Sequence, residues 1–321
     1  MPDFAIGVDV GGTNLRVAAI DANGEILERI RLTTEVGAGR QAVLDEMCAA
    51  VLGLRHRLSA TRLVGIGFGV PGIIYMGEGK IRESPNLPDW NDYPIRDEIE
   101  QRLGTRVILE NDANAAALGE KWMGLGREVD SLAMLTLGTG VGGGIVINGR
   151  IWHGMLGMAG ELGHITVKPD GPPCGCGNCG CLEAMASATA IVRMARQAIE
   201  QGRSPALAQA ARTLAEITSE VVCQKAVEGD PVACQIFVAA GEALGIALAD
   251  LVNIFNFPLY VITGGVVDAW DLFAPAMLEM VERRSFVYRA GGARIAPAKL
   301  GNEAGLYGAA YLPFQVRAAL I

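Results

Sequence analysis

Residues 4–27 read FAIGVDVGGTNLRVAAIDANGEIL. An apolar run meets a glycine turn at Gly11-Gly12, a second apolar run follows, and Asn23-Gly24 turns the chain again. Asn-Gly between such runs is a strong hairpin signal, so the segment predicts strand, turn, strand, turn, strand. The same grammar returns in SLAMLTLGTGVGGGIVINGRIW, residues 131–152. Two Gly/Thr hairpins, one per half, predict two related α/β lobes facing a cleft.

Between and after these hairpins the pattern predicts a helix over about Arg40 to Leu58 and a short apolar strand, LVGIGFGV, at 63–70. RVILE at 106–110 reads as a strand that feeds a helix, NDANAAALGEKW, at 111–122. Residues from about Ala184 to Leu251 read as mostly helical, punctuated by Gly229-Asp230-Pro231. The strand LYVITGGVV and the tail NEAGLYGAAYL close the chain. No short-period repeat is visible.

Bulk properties narrow the function. Half of the 321 residues are hydrophobic but only 6% are aromatic, the composition of a soluble α/β protein with ample core. A net charge of −8 and a pI of about 5.1, with no offsetting basic run, argue against nucleic acid and anionic membrane as partners. The apolar stretch 251–267 is interrupted by Asn253, Asn256 and Pro258, which argues against a membrane span. No secretory leader pattern opens the chain, so a cytoplasmic protein is expected. In that reducing compartment, clustered cysteines read as metal ligands before disulfides.

G-x-G-x-x-G occurs at Gly67–Gly72 (GFGVPG) and at Gly138–Gly143 (GTGVGG). A dinucleotide site needs that motif to open a helix, whereas the first copy contains Pro71 and the second runs into IVING. No G-x-x-x-x-G-K-[ST] is present, so a P-loop is excluded. The glycine hairpins can instead cradle phosphates. Gly11 and Gly12 let backbone N–H groups approach an anion, Thr13 and Asn14 add donors, and Gly138, Thr139 and Gly140 offer the same in the second half. Asp9, just before the first turn, is placed to hold Mg²⁺ through water. Thr263-Gly264-Gly265, after a further strand, would pass the flat face of adenine.

Two blocks carry the remaining chemistry. Asn111 and Asp112 stand at a strand-to-helix junction, where a helix cap is the simplest reading. A carboxylate there would equally serve as the base that phosphoryl transfer to a hydroxyl requires. GELGHITVKPDGPPCGCGNCGCLE, residues 160–183, contains Glu161, His164, four cysteines and Glu183. Such a block suits a tetrahedral Zn²⁺ site, held either by Cys174, Cys176, Cys179 and Cys181 or by His164 with three of them. Four protein ligands leave no open position, so the metal would be structural. Charged acceptors converging nearby suit a polyol ligand.

DVGGTNLRVAAID, LGTGVGGG and VITGG resemble the two phosphate motifs and the adenosine motif of the actin-like ATPase superfamily. Their order and spacing are similar to its ROK branch, which includes bacterial sugar kinases and sugar-responsive repressors. The resemblance covers nearly the whole chain. It implies an α/β fold of two actin-like (ribonuclease H-like) lobes with a cleft between them and a zinc-binding loop. Residues 1–117, completed by a tail of about 305–321, would form the smaller lobe, and 118–304 the larger. The resemblance also implies Asp112 as catalytic base and Asn111 as a sugar ligand. The pattern G-H…C-x-C-G-x-x-G-C-x-E implies His164, Cys174, Cys176 and Cys181 as zinc ligands, with Cys179 at a variable position. Glu161, His164 and Glu183 would bind the sugar, joined by Gly72 of the G-x-P-G turn and Asn86 of SPNLPDW. Asp89 and Ala188 stand where many relatives have Gly.

The implied activity is ATP-dependent phosphorylation of a hexose 6-hydroxyl, with glucose first. N-acetylglucosamine, N-acetylmannosamine, mannose, fructose and allose are the alternatives. Closure of the lobes around sugar and MgATP would exclude water. A repressor of this fold carries an added N-terminal DNA-binding module, whereas this chain opens on its first strand. A non-catalytic sugar sensor would not need Asp112 together with both phosphate turns. The expected partners are sugar and ATP, with Mg²⁺ and structural Zn²⁺ as cofactors and a homodimer, or alternatively a tetramer, as the assembly.

Overall fold

The computed structural model describes residues 3–11, 14–33, 37, 39–84 and 88–318. The opening segment forms β1 (Phe4–Val10), β2 (Asn14–Asp21) and β3 (Ile26–Thr33). Then come α1 (Arg40–Arg57), β4 (Leu63–Val70), β5 (Ile73–Tyr75), β6 (Lys80–Glu83) and α2 (Ile95–Leu103). β7 (Ile108–Asn111) leads directly into α3 (Asp112–Met123). The first sheet has the order β3-β2-β1-β4-β7. β1 pairs antiparallel with β2 (Val8 opposite Val17) and parallel with β4 (Val8 opposite Phe68), and β4 pairs parallel with β7.

The second half contains β8 (Leu132–Leu137), β9 (Val141–Ile147) and β10 (Arg150–Ile151). Helices α4 (Leu182–Ala186), α5 (Ala188–Glu200), α6 (Pro205–Gln209), α7 (Ser219–Val227) and α8 (Pro231–Phe255) follow. The chain then runs through β11 (Leu259–Thr263), α9 (Trp270–Arg284), α10 (Phe286–Arg289), β12 (Arg294–Pro297) and α11 (Ala304–Ala318). The second sheet, β10-β9-β8-β11-β12, repeats the first in its own numbering: third, second, first, fourth, fifth strand. The repeated hairpin grammar of the sequence is thus a repeated sheet topology.

Two compact units result: Met1–Leu132 with Gly144–Gly160 and Lys299–Ile321, and Ala133–Gly143 with Glu161–Ala298. Residue 117, where the sequence reading drew its boundary, lies within α3, and α3 falls whole in the first unit. The physical tie is α11. It packs along α3 and over β1 and β4, and both contacts demand missing side chains. A Cβ on Gly67 of β4 would lie 2.0 Å from the Ala309 carbonyl oxygen, and one on Gly308 would lie 1.6 Å from that of Ala115. Trp122 of α3 stacks on Tyr311 of α11 at 4.6 Å between centroids. Fully buried Glu120 accepts from Leu125 N–H (2.9 Å) and Leu300 N–H (2.6 Å), closing the far end of α3.

On the sheet's other cover, α1 presents Val43, Leu44, Met47, Val51 and Leu54, the i, i+3/i+4 stripe of an amphipathic helix. They join Phe4, Ile6, Val8, Phe68 and Trp90 in one core. β3 alternates half-buried and exposed residues along much of its length, carrying Arg29 and Arg31, as suits a sheet edge. In the second unit α8 is the long apolar helix, and α4, α5, α7 and α9 pack on it. By length and composition α8 could cross a membrane, but most of that stretch is buried in the protein. Asp230 caps α8 by accepting from Ala233 N–H (2.8 Å), and Asn256, at φ 48°, ends it. The strand expected over LYVITGGVV stops at Thr263. Gly264 takes φ 97°, a conformation that does not continue a strand, and Gly265–Ala269 is a 3₁₀ turn.

Candidate active site

The first glycine turn joins β1 to β2, and Gly11 N–H donates to the Asn14 carbonyl at 2.8 Å. Gly12 and Thr13 lie outside the described residues. Asp9 sits on β1 just before the turn. Its Oδ2 accepts from Arg16 Nη1 (3.0 Å), and the same nitrogen donates to the Asn302 carbonyl (2.9 Å). Burial raises the Asp9 carboxyl above the ordinary carboxylate value, against the pull of Arg16. Asp9 Oδ1 faces Gly305 at the start of α11, where a Cβ would come within 2.9 Å. One oxygen of this half-buried carboxylate is thus paired, and the other lies beside a glycine.

At the end of β7, Asn111 caps α3. Its Oδ1 accepts from Ala113 N–H (2.9 Å) and Asn114 N–H (3.1 Å), while Nδ2 donates to the Gly72 carbonyl (3.1 Å). The cap reading of Asn111 is therefore realised, and the amide keeps a second Nδ2 hydrogen. Gly72 is positioned by its own turn: φ is 110°, and a Cβ would meet the Glu83 carbonyl oxygen at 2.3 Å. Asp112 is the first residue of α3 and half-buried, with Oδ1 2.9 Å from Ala113 N–H.

Behind Asp112 lies a pair that the sequence reading did not single out. Glu110 is buried (2% exposed). Its Oε1 accepts from Asn111 N–H (2.9 Å) and Asn114 Nδ2 (3.1 Å), and its Oε2 lies 2.7 Å from His153 Nε2. This hydrogen bond holds the His153 imidazole above its ordinary pKa, against desolvation. The signal present in the sequence was a Glu closing an apolar strand; its partner, 43 residues on, carried none.

In the second unit the turn Gly138–Gly140 joins β8 to β9. Gly138 N–H donates to the Gly140 carbonyl (2.9 Å). The start of α5 clamps the turn's carbonyls: Ala188 N–H donates to Gly138 O (2.9 Å) and Thr189 Oγ1 to Thr139 O (2.7 Å). Ser187 fixes that helix start by accepting from Ala190 N–H (3.0 Å). Ala188, which stands where many relatives have Gly, thus takes part in a clamp that no local sequence signal marks. Glu183 joins the same turn, its Oε2 accepting from Val141 N–H (3.0 Å) where a Cβ on Gly140 would intrude. Gly264 and Gly265 follow β11, half-buried and exposed respectively.

His164, Cys174, Cys176 and Cys181 converge, with all four ligand atoms within 4.8 Å of one another. Cys176 Sγ and Cys181 Sγ are 3.7 Å apart, and Cys174 Sγ and His164 Nδ1 are 3.6 Å apart. A tetrahedron built on Zn–S of about 2.3 Å and Zn–N of about 2.0 Å has edges of about 3.5–3.8 Å, so these two edges match that ion. Burial pushes the Cys174 thiol up to about 12 and raises Cys181, while the Asn178 backbone N–H lowers Cys176. A bound cation is what allows such thiols to ionise together. Cys179 is exposed and outside this group. His164 turns Nε2 toward Glu161, 3.9 Å from its Oε2. Cys174 Sγ lies 3.7 Å from Glu183 Oε1, so one carboxylate bridges the cysteine cluster and the Gly138–Gly140 turn. Asn86 lies outside the described residues. Asp89 offers its carbonyl to Arg40 Nη1 (2.6 Å).

The model of the ROK family matches residues 5–316. The chain belongs to the ROK family. Its ROK relatives include a glucokinase of Halalkalibacterium halodurans, 40% identical over 96% of this chain and 94% of that one. Among solved ROK structures, a hexokinase of Thermus thermophilus is 34% identical with a TM-score of 0.82, covering 98% of this chain and 99% of that one. A ROK glucokinase of Streptomyces griseus, in complex with glucose and AMPPNP, is 36% identical with a TM-score of 0.80 over 97% and 99% of the two chains. These likenesses make this chain a mixed α/β protein of the ROK sugar-kinase fold.

Proposed function

We infer that this chain is an ATP-dependent glucokinase that phosphorylates the 6-hydroxyl of glucose. The observation that carries the reading is Asp112: a half-buried carboxylate fixed at the first turn of a helix, in a chain 36% identical to a ROK glucokinase described with glucose and AMPPNP. Asp112 takes the hydroxyl proton as that oxygen attacks the γ-phosphorus. The bond from this phosphorus to the β–γ bridging oxygen breaks, and ADP leaves.

The other residues bind and orient. Gly11 to Asn14 and Gly138 to Gly140 cradle the phosphates. With the Gly138 and Thr139 carbonyls held by Ala188 and Thr189, and Gly138 N–H closing on the Gly140 carbonyl, the second turn offers the Thr139 and Gly140 N–H groups to an anion. Mg²⁺ supplies charge neutralisation on the phosphates, and Asp9 would hold it through water. Gly264 and Gly265 pass the adenine. Glu161, Glu183 and His164 Nε2 bind sugar hydroxyls, with Asn86, Gly72 and the second Nδ2 hydrogen of Asn111. A carboxylate has about four acceptor sites, so Glu183 can keep Val141 and still take a hydroxyl. Zinc on His164 Nδ1, Cys174, Cys176 and Cys181 would be structural and would fix the tautomer that presents Nε2. The two compact units correspond in this reading to the two actin-like lobes. The enzyme acts in the cytoplasm on the sugar-entry step of carbohydrate metabolism, as a homodimer.

ADP release from MgATP, measured with glucose and a panel of hexoses and N-acetylhexosamines, tests the proposal. Glucose should be turned over, and Asp112→Asn should lower kcat by about 10²–10⁴-fold. Turnover on another sugar alone replaces the substrate, and no turnover on any sugar by the folded, zinc-loaded protein overturns the kinase reading.

A further inference from the structure

We propose that Glu110 and His153 are positioning residues for the reaction: the pair fixes the first turn of α3 and thereby aims the Asp112 carboxylate. The proposal rests on the reading of Asp112 as the base. Three observations carry it.

First, among the described residues every hydrogen-bond partner of the Glu110 carboxylate is either in the turn that bears Asp112 or is His153. Oε1 holds Asn111 N–H, the residue before Asp112, and Asn114 Nδ2, two residues after it. Oε2 holds His153. The Asn111 side chain stitches the same turn through Ala113 and Asn114 N–H, so the turn is tied by two side chains at once.

Second, a carboxylate 2% exposed at the end of an apolar strand is an expensive way to fill space. An apolar side chain of similar volume would serve packing as well or better, and removing one member of a buried pair is far costlier than replacing both. Its presence there is accounted for by what it holds.

Third, His153 is itself held on both sides by backbone. Trp152 N–H donates to the Ile145 carbonyl (2.8 Å), and Ala159 N–H donates to the His153 carbonyl (3.0 Å). β9, from which that bond comes, sits tight against α3, since a Cβ on Gly144 would lie 2.8 Å from the Ala113 carbonyl oxygen. Glu110 is the one charged group that bears on the imidazole among the described residues. The imidazole thus reaches Glu110 from a second fixed point, and the turn between Asn111 and Asn114 inherits that rigidity. Misplacing a reacting group by about 1 Å can cost on the order of 100-fold, so positioning of this kind is visible in kcat.

The experiment compares the full-length zinc-loaded wild type with His153→Ala and His153→Gln, whose amide Nε2 donates close to the place of the imidazole nitrogen. We expect His153→Ala to lose about ten-fold or more in kcat with KM for ATP and for glucose within about two-fold. His153→Gln should regain most of the loss. A kcat for His153→Ala within two-fold of wild type overturns the proposal, as does equal impairment of both variants in folded protein. Wild-type inactivity, or an Asp112→Asn variant as active as wild type, would instead sink the base reading. Amide hydrogen exchange at Asn111 and Ala113 reads the pair without turnover. Exchange should quicken at least ten-fold in His153→Ala and stay slow in His153→Gln, and unchanged exchange in both overturns the positioning role.

Discussion

At the start of α3 a side-chain cap, Asn111, and a buried acid, Glu110, fix the helix that carries Asp112. At the start of α4 the cap position is Cys181, with no side-chain cap bond, and the helix that carries Glu183 is held differently. Leu182 N–H reaches the Ile165 carbonyl (2.9 Å), Thr166 bridges Cys181, and the Cys181 thiol belongs to the metal-ligand cluster. One carboxylate follows a turn held by hydrogen bonds, the other a group of His and Cys donors that could take an ion. Hydrogen-bonded placement answers to protons, and metal-held placement answers to chelators and oxidants. The two helix starts should therefore fail under different conditions.

The widest break in that comparison comes from the metal side. Cys181→Ser, or zinc removal by a strong chelator, should lower the melting temperature by roughly 10 °C or more, since structural zinc contributes directly to folding. The α3 end should keep its amide protection in the same sample. Calorimetry with bound-zinc analysis checks this, and a melting curve unmoved by metal loss would erase the contrast.

Next comes the cap. Asn111→Ala removes two accepted N–H bonds and the tie to Gly72, and should cost about 1 kcal/mol or somewhat more in urea unfolding. Zinc content should not change.

The smallest effect is pH. His153 has its pKa raised in the folded state, so its contribution to stability is complete below the ordinary imidazole value of 6.5. That contribution is lost as pH rises through the raised folded value. Melting temperatures taken from pH 6 upward should fall slightly more steeply for wild type than for His153→Gln. Parallel curves would mean that the pair carries no charge.

Much of the fold was legible because it is written locally. The two hairpins, α1, β4 and the α3 start each rest on adjacent residues, and the structure places them within a residue or two of the sequence reading. The convergence of His164 with cysteines of the 174–181 block was legible for the same reason, although choosing among the cysteines took the family resemblance. What escaped was long-range. Ala188 and Thr189 are unremarkable helix residues until they are seen donating to Gly138 and Thr139. His153 carries no periodic or motif signal and gains its meaning only from Glu110, 43 positions earlier. The end of β11 was misread because VV has strand propensity, while the backbone turn at Gly264 overrides it.

The seat of α11 has a consequence for synthesis. β1 and β4 are made first, yet the helix that covers their glycine face comes from residues 304–318. On the ribosome these strands leave the tunnel well before residues 304–318, and the first unit stays uncovered along that face until those residues follow. The second unit, built from residues 133–143 and 161–298, has all its parts sooner. The order of emergence is therefore the reverse of the order of completion, and the earliest strands wait longest for their partner.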